Sequence, residues 1–313
     1  MPRTSHARRR SLLLSASAAT TATIALSAAV MAGPEGPPPG ERPPPLRSVG
    51  APRNTADDRL LHDSEQQLLR DCMSRRGFTY RPFHLAAEPE STLFPYVIDD
   101  ADWAREHGYG SELRRRQAAV AKGDPNRAYF AALPAHLKAA ALAAANGPSP
   151  DGLTVRLPGG GTLRRSDRGC VAEAQHQLYG DLGAWFRSST RVNTLEQILR
   201  SRVVADVTYV KSLAVWRRCM GRAGRAFATP AAARASALSP AHPLPEDREI
   251  GLALTEVRCA GESGLSSTAR RLDSHHGRLL AQEYRADVET RDRLRAAALP
   301  RARRILDAAR PQA

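Results

Sequence analysis

The chain has 313 residues, 42% of them hydrophobic and 25% charged, a length that suits about two domains. This balance excludes intrinsic disorder of the whole chain and a polytopic membrane protein, and with aromatics at 5% the core must rest on Leu, Val, Ala and Met. The net charge is +14, yet only Lys122, Lys138 and Lys211 among the 46 basic residues are lysine. Codon bias in a GC-rich genome produces such an arginine excess, whereas selection for phosphate contact has no reason to exclude lysine.

Residues 1–32 read as a secretory signal peptide. Arg8-Arg9-Arg10 precede an apolar run, and Val30-Met31-Ala32 places small residues around a cleavage site. A retained anchor is the alternative, but the run is barely long enough to span and serines and threonines dilute it. Arg9-Arg10-Ser11-Leu12-Leu13 also resembles a twin-arginine export signal. Residues 33–56 form a Pro/Gly-rich linker that suits a solvated spacer rather than a core. Removing residues 1–32 takes away four arginines, leaving +10 (14 − 4).

From residue 57 the pattern is helical. Leu61, Leu68 and Cys72 share a face of a helix over 57–77, with Leu69 and Met73 beside it and Gly77 past its end. Asp99 and Asp100 can cap a short helix through His107, and Asp124-Pro125 opens another. A short Ala-rich helix runs from Pro134 to Asn146-Gly147. Leu153 to Leu163 alternates around Pro158-Gly159-Gly160-Gly161, a β-hairpin. Asn193 and Glu196 predict the start of a long helix running through Trp216 and Cys219 to about Gly224. Thr229-Pro230 and Pro245 start two more, the second carrying Ile250, Leu254 and Val257 on one face. Leu272, His276, Leu279, Leu280, Tyr284 and Val288 continue at helical spacing until Pro300, which should interrupt them.

LLRDCMSRRGFTYRP (68–82) parallels VWRRCMGRAGRAFATP (215–230): both read Cys-Met-x-Arg-x-Gly, then an aromatic, then Pro. A later cysteine follows each, Cys170 and Cys259. The expected fold is therefore mainly α: a disulfide-stapled helical bundle over 57–313, with a weak internal duplication (about 57–190 and 191–313) and one small β-hairpin. Four cysteines in an exported chain make two disulfides, with three possible connectivities. The duplication selects Cys72–Cys170 and Cys219–Cys259. No C-x-x-C is present, which argues against a zinc knuckle or a redox motif.

Chemistry-bearing motifs are sparse. There is no H-E-x-x-H, and neither a metal nor a cofactor is expected. Glu173 and His176 share a helix face, and Asp273, His275 and His276 are the densest titratable cluster; both are read first as solvated surface. Gly261-Glu262-Ser263-Gly264 resembles a nucleophile elbow without its spacing or its preceding strand. Gly159-Gly160-Gly161 lacks the Lys-Ser/Thr of a phosphate loop. No set of nucleophile, base and stabiliser assembles, so no catalytic residue is assigned. Nucleic acid is rejected as a partner because stacking aromatics are few and the chain is exported; an anionic envelope polymer or another protein remains, with no membrane span expected after signal cleavage.

Several landmarks stand together: Cys72-Met73 with Gly77-Phe78-Thr79-Tyr80, Gly108-Tyr109-Gly110, Asn126 with Tyr129, Gly169-Cys170 with Glu173-Ala174 and Tyr179-Gly180, Trp216 with Cys219-Met220, and Arg258-Cys259. In these the chain resembles a group of uncharacterised secreted or lipoprotein-like actinobacterial proteins. The resemblance implies an exported helical protein and transfers no catalytic residue. It departs from lipid-anchored members in lacking a lipobox cysteine. Tyr80, Tyr109, Tyr129 and Tyr179 are read as core or cap residues, with a shared binding cleft as the alternative.

The expected function is a non-catalytic, exported, envelope-associated or secreted protein with a binding role. The alternatives are a secreted hydrolase acting on cell-wall material through Glu173, His176 or the 273–276 cluster, and a protease-inhibitor-like module presenting residues 83–98 or the 153–163 hairpin. Peptide mapping without reduction should recover linked fragments 72–170 and 219–259; a 72–219 link would remove the duplication from consideration.

Overall fold

In the computed structural model, which describes residues 49, 56–83 and 93–309, the chain is mainly helical with one two-stranded hairpin. The expected signal peptide and nearly all of the linker lie outside the described residues. Helix α1 (Ala56–Arg75) leads to α2 (Ala101–His107), α3 (Ser111–Lys122), α4 (Pro125–Ala132) and α5 (Ala135–Asn146). Strands β1 (Gly152–Arg156) and β2 (Thr162–Ser166) then pair antiparallel, with Val155 opposite Leu163. The remaining helices are α6 (Cys170–Tyr179), α7 (Leu182–Ala205), α8 (Val207–Arg222), α9 (Pro230–Ala237), α10 (Glu246–Glu262), α11 (Leu265–Glu283) and α12 (Arg285–Ala309).

The caps explain most of these boundaries. Asp100, Asp124, Asp181, Asp206 and Thr229 each accept a backbone N–H of their helix's first turn, satisfying donors that have no intrahelical partner. Two expectations fail on the same physics. Asn193 does not open a helix; it lies exposed in the middle of α7, which starts after Asp181. The long helix expected from there to Gly224 is broken at Asp206, whose carboxylate caps α8 by accepting from the Thr208 N–H at 2.8 Å. Pro300 does not interrupt its helix either. It sits inside α12, where Ala298 and Ala302 are buried and the Ser64 hydroxyl donates to the Ala302 carbonyl at 3.0 Å. Packing against α1 outweighs the one backbone bond a proline removes.

Apolar burial gathers in two main places. The larger core joins Ile98 and Tyr109 to α7–α11 through Leu195, Leu199, Trp216, Met220 and Leu265. A smaller one joins α1, α6, α7 and α12 through Leu61, Leu178, Trp185 and Leu294, with Tyr179 stacked on Trp185 at 3.5 Å between ring centres. The C-terminal helix thus packs on α1, α6 and α7, while α2 packs on α10, so the two sequence halves exchange elements. An Asp58–Arg295 ion pair reinforces the α1–α12 contact. Across α1, α6 and β2, Arg165 donates to Gln175 at 2.7 Å and Gln175 to Glu65 at 2.9 Å.

Both expected disulfides are present, Cys72–Cys170 and Cys219–Cys259, each with Cα atoms 5.5 Å apart. The helix ends at the first cysteine of each pair are closed identically. Gly77 and Gly224 take φ of +80° and +71°. The residue after each glycine donates its N–H back to the methionine carbonyl, Phe78 to Met73 at 3.0 Å and Arg225 to Met220 at 2.8 Å. This is the glycine-terminated helix end in which a left-handed residue turns the chain back on the last turn. The staples differ in where they land: Cys170 begins α6, whereas Cys259 lies in the last turn of α10.

The start of α6 leans backbone to backbone on the end of α5. A Cβ on Gly169, whose φ is +90°, would lie 2.3 Å from the Gly147 nitrogen, whereas one on Gly77 would meet nothing within 4 Å. Gly169→Ala should therefore cost about 3 kcal/mol, and Gly77→Ala only about 1 kcal/mol, from backbone strain alone. Chemical denaturation of the two variants checks the difference.

Candidate functional site

The first staple builds an open cleft. By tying the end of α1 to the start of α6, it sets Arg76 beside the loop that leaves β2 and the first turns of α6. The resulting cleft, about 710 Å³, is lined by Arg76, Arg168, Gly169, Glu173, His176 and Leu182 among others. Glu173 and His176 therefore do share a surface, as their three-residue spacing implies. The Glu173 carboxylate is already engaged: Oε1 accepts from Arg75 at 2.5 Å and from Gln177 at 3.2 Å, and Oε2 faces Arg76 at 3.5 Å. Its Oε2 also lies 3.2 Å from Cys72 Sγ, a contact rather than a hydrogen bond, because a disulfide sulfur carries no proton. Glu262 stands in the same relation to Cys219, again at 3.2 Å. Each glutamate is three residues after the second cysteine of its pair, so C-x-x-E joins Cys-Met-x-Arg-x-Gly as a repeated feature.

The 273–276 cluster does not converge. Asp273 accepts from the Tyr96 hydroxyl at 2.5 Å. His276 meets Asp206 at 3.2 Å, tying α11 to the start of α8. His275 makes an edge-on ring contact with His276. Among the described residues, no group of three or more His, Cys, Asp or Glu side chains could hold a metal ion. The four tyrosines do not line one cleft. Tyr109 is buried in the larger core and Tyr179 in the smaller, Tyr80 packs near the first staple and donates to Gln66 at 2.6 Å, and Tyr129 is half-buried on α4.

The most unusual chemistry lies on α10, where Leu254 and Val257 of the expected face do pack on the larger core but the fully buried face is turned from it. Ile250, Leu254 and Val257 are only half-buried; the inward face carries Glu249, Leu252, Ala253, Glu256, Cys259 and Ala260. Two glutamates are tolerated there because each carboxylate is satisfied. Glu256, fully buried, accepts the Ile98 N–H at 2.9 Å and the Tyr109 hydroxyl. Glu249 accepts the Tyr109 N–H at 2.8 Å and the Ser111 N–H at 3.2 Å. Gly108 allows the loop this close: its φ is +56°, and a Cβ there would lie 2.9 Å from Glu249 Cγ. Cys259, three residues after Glu256, was the available signal for the buried face.

Burial pushes the Glu256 carboxyl up to about 7, with the bonds from Tyr109 and Ile98 opposing the shift. Burial and the neighbouring carboxylate raise the Tyr109 hydroxyl above its ordinary range, so it remains a donor. The arrangement pins a loop and offers no open approach for a substrate. Among the described residues no single helix is long and apolar enough to cross a membrane. No protein-family model, no curated protein and no solved structure matches the chain.

The pH consequence has a definite sign. Folded Glu256 keeps its proton to about 7, whereas the unfolded side chain releases it near 4.5. Its contribution is fully present below pH 4.5 and is lost as pH rises through 7. The separation corresponds to roughly 3 kcal/mol. Thermal unfolding should show Tm falling between pH 5 and 8, and Glu256→Gln should flatten much of that fall. Some slope should persist, because burial also raises Glu65, Asp99 and Asp273.

Proposed function

We propose that this protein is exported and acts outside the cytoplasm as a non-catalytic binding protein of the cell envelope or its surroundings. The observation that carries this reading is the pair of disulfides, which engage all four cysteines of the chain. Such bonds persist in non-reducing compartments and are rare in the cytosol. The Arg-rich, apolar N-terminal segment and the Pro/Gly-rich linker support the same destination. The engagement of Glu173, Asp273 and His276 by structural partners supports a binding role over acid–base chemistry. The matched staples and their matched C-x-x-E glutamates support a duplicated origin for the two halves.

A second reading, a hydrolase of cell-wall material, draws on the common cleft of Glu173 and His176. It requires Glu173 to be freed from Arg75 and Arg76. The protease-inhibitor-like reading would use the exposed turn of the β-hairpin.

Fractionation of the producing cell, with detection of the native chain, should place the protein in the supernatant or envelope fraction, with non-reducing electrophoresis showing no titratable thiol. A purely cytosolic, thiol-bearing pool would overturn the export reading. Wall-degrading activity lost in Glu173→Gln would establish the hydrolase instead.

A further inference from the structure

Helix α8 contains no acidic residue. Its inward face buries Tyr209, Leu213, Trp216, Cys219 and Met220. The opposite face interleaves two kinds of side chain. Val207, Val210 and Val215 are 65%, 49% and 39% exposed. Lys211, Arg218 and Arg222 are exposed among them, and within the described residues none of the three has an ion-pair partner. Most acidic side chains elsewhere on the surface sit against an arginine, as in Glu112 with Arg115 and Arg116. This face combines such cations with exposed valines and has no acidic residue of its own helix to answer them.

The apolar component extends past the helix. Val204, at the end of α7, is 46% exposed, and Leu279 of α11 is 43% exposed. The His276–Asp206 and Arg202–Glu283 contacts dock α11 against the α7–α8 corner, and Leu279 lies on α11 between His276 and Glu283. Asp206, the acid at this corner, is occupied as the α8 cap and by His276. Of the ten exposed large apolar side chains among the described residues, three lie on α8, and Val204 and Leu279 lie on the two helices that meet it at this corner.

We propose that the outer face of α8 docks on an anionic lipid surface. The unneutralised cations call for an anionic partner. The valines between them distinguish a bilayer from a soluble or wall-bound polyanion, because only the headgroup–acyl boundary accepts apolar side chains alongside the charge. Docking in this mode lays α8 flat on the surface and leaves its inward face in the core. The inference rests on the export reading for access to an outer membrane face, yet the two fail separately: fractionation reports compartment, and vesicle binding reports the surface itself.

The test is co-sedimentation of the full chain, isolated from its export host, with vesicles of phosphatidylglycerol and phosphatidylcholine. Vesicles of phosphatidylcholine alone read any contribution from the N-terminal apolar run. The chain should pellet with the anionic vesicles more than with the neutral ones, and less in high salt. Lys211→Glu with Arg218→Glu should weaken the anionic component by about tenfold. Val207→Ser with Val210→Ser should weaken it severalfold, and both variants should retain wild-type Tm because all four side chains are exposed. Equal binding to both vesicle types, or no binding, would overturn the proposal. So would wild-type binding by the valine variant together with equal capture by soluble polyglutamate, which would identify the partner as a polyanion rather than a lipid surface.

Discussion

The link between Cys72 and Cys170 is the constraint on which the first half depends. It closes 98 residues of sequence separation, and on the chain-entropy account a loop of this size restricts the unfolded state by roughly 4–5 kcal/mol. Around it lies a small cluster: Cys72, Met73, Ala144 and Cys170, with Leu69, Phe78 and Tyr80 partly buried against them. So little apolar surface would hold the ends of α1, α5 and α6 together weakly without a covalent tie. The tie also fixes which charges meet, since Arg75 and Arg76 reach Glu173 only because their helix end is bonded to the start of α6.

The second half meets the same scarcity of aromatics differently. Its core contains Trp216 and many small residues, takes in Tyr109 from the first half, and uses buried carboxylates as well as a disulfide. Glu249 and Glu256 hold Ile98, Tyr109 and Ser111 by four hydrogen bonds reaching across about 140–160 residues of sequence. A buried, satisfied polar network specifies one arrangement, since any shift of these segments leaves a carboxylate without partners in a low-dielectric interior. The cost of that specificity is visible in the raised Glu256 carboxyl.

The cleft and the α8 face are different kinds of surface. In the cleft, acidic and basic groups answer one another, and the carboxylate with the most chemical promise is absorbed by its neighbours. On α8, cations and valines stand without answering groups.

Much of the local structure was legible in the residues. Asp100, Asp124, Thr229 and Pro245 marked helix starts, Gly77 and Gly147 marked ends, and Pro158-Gly159-Gly160-Gly161 marked the hairpin, because caps and turns are satisfied by neighbours in sequence. The disulfide pairing was legible too, through the repeated Cys-Met-x-Arg-x-Gly. Three features were not. The unbroken passage through Pro300 and the inward face of α10 depend on partners distant in the chain, Ser64 and Tyr109 with Ile98, whereas the break at Asp206 follows from a cap to Thr208, a local signal hidden by the helical pattern on both sides. A glutamate on a helix reads as solvent-facing until the donors that pay for its burial are known. The sequence by itself determined a stapled helical protein with its caps and cysteine pairs, since those obey short-range rules. Only the tertiary structure decided which carboxylates went inside, which charges cancelled and which helix face was left bare, because each outcome turns on what another segment brings to the same place.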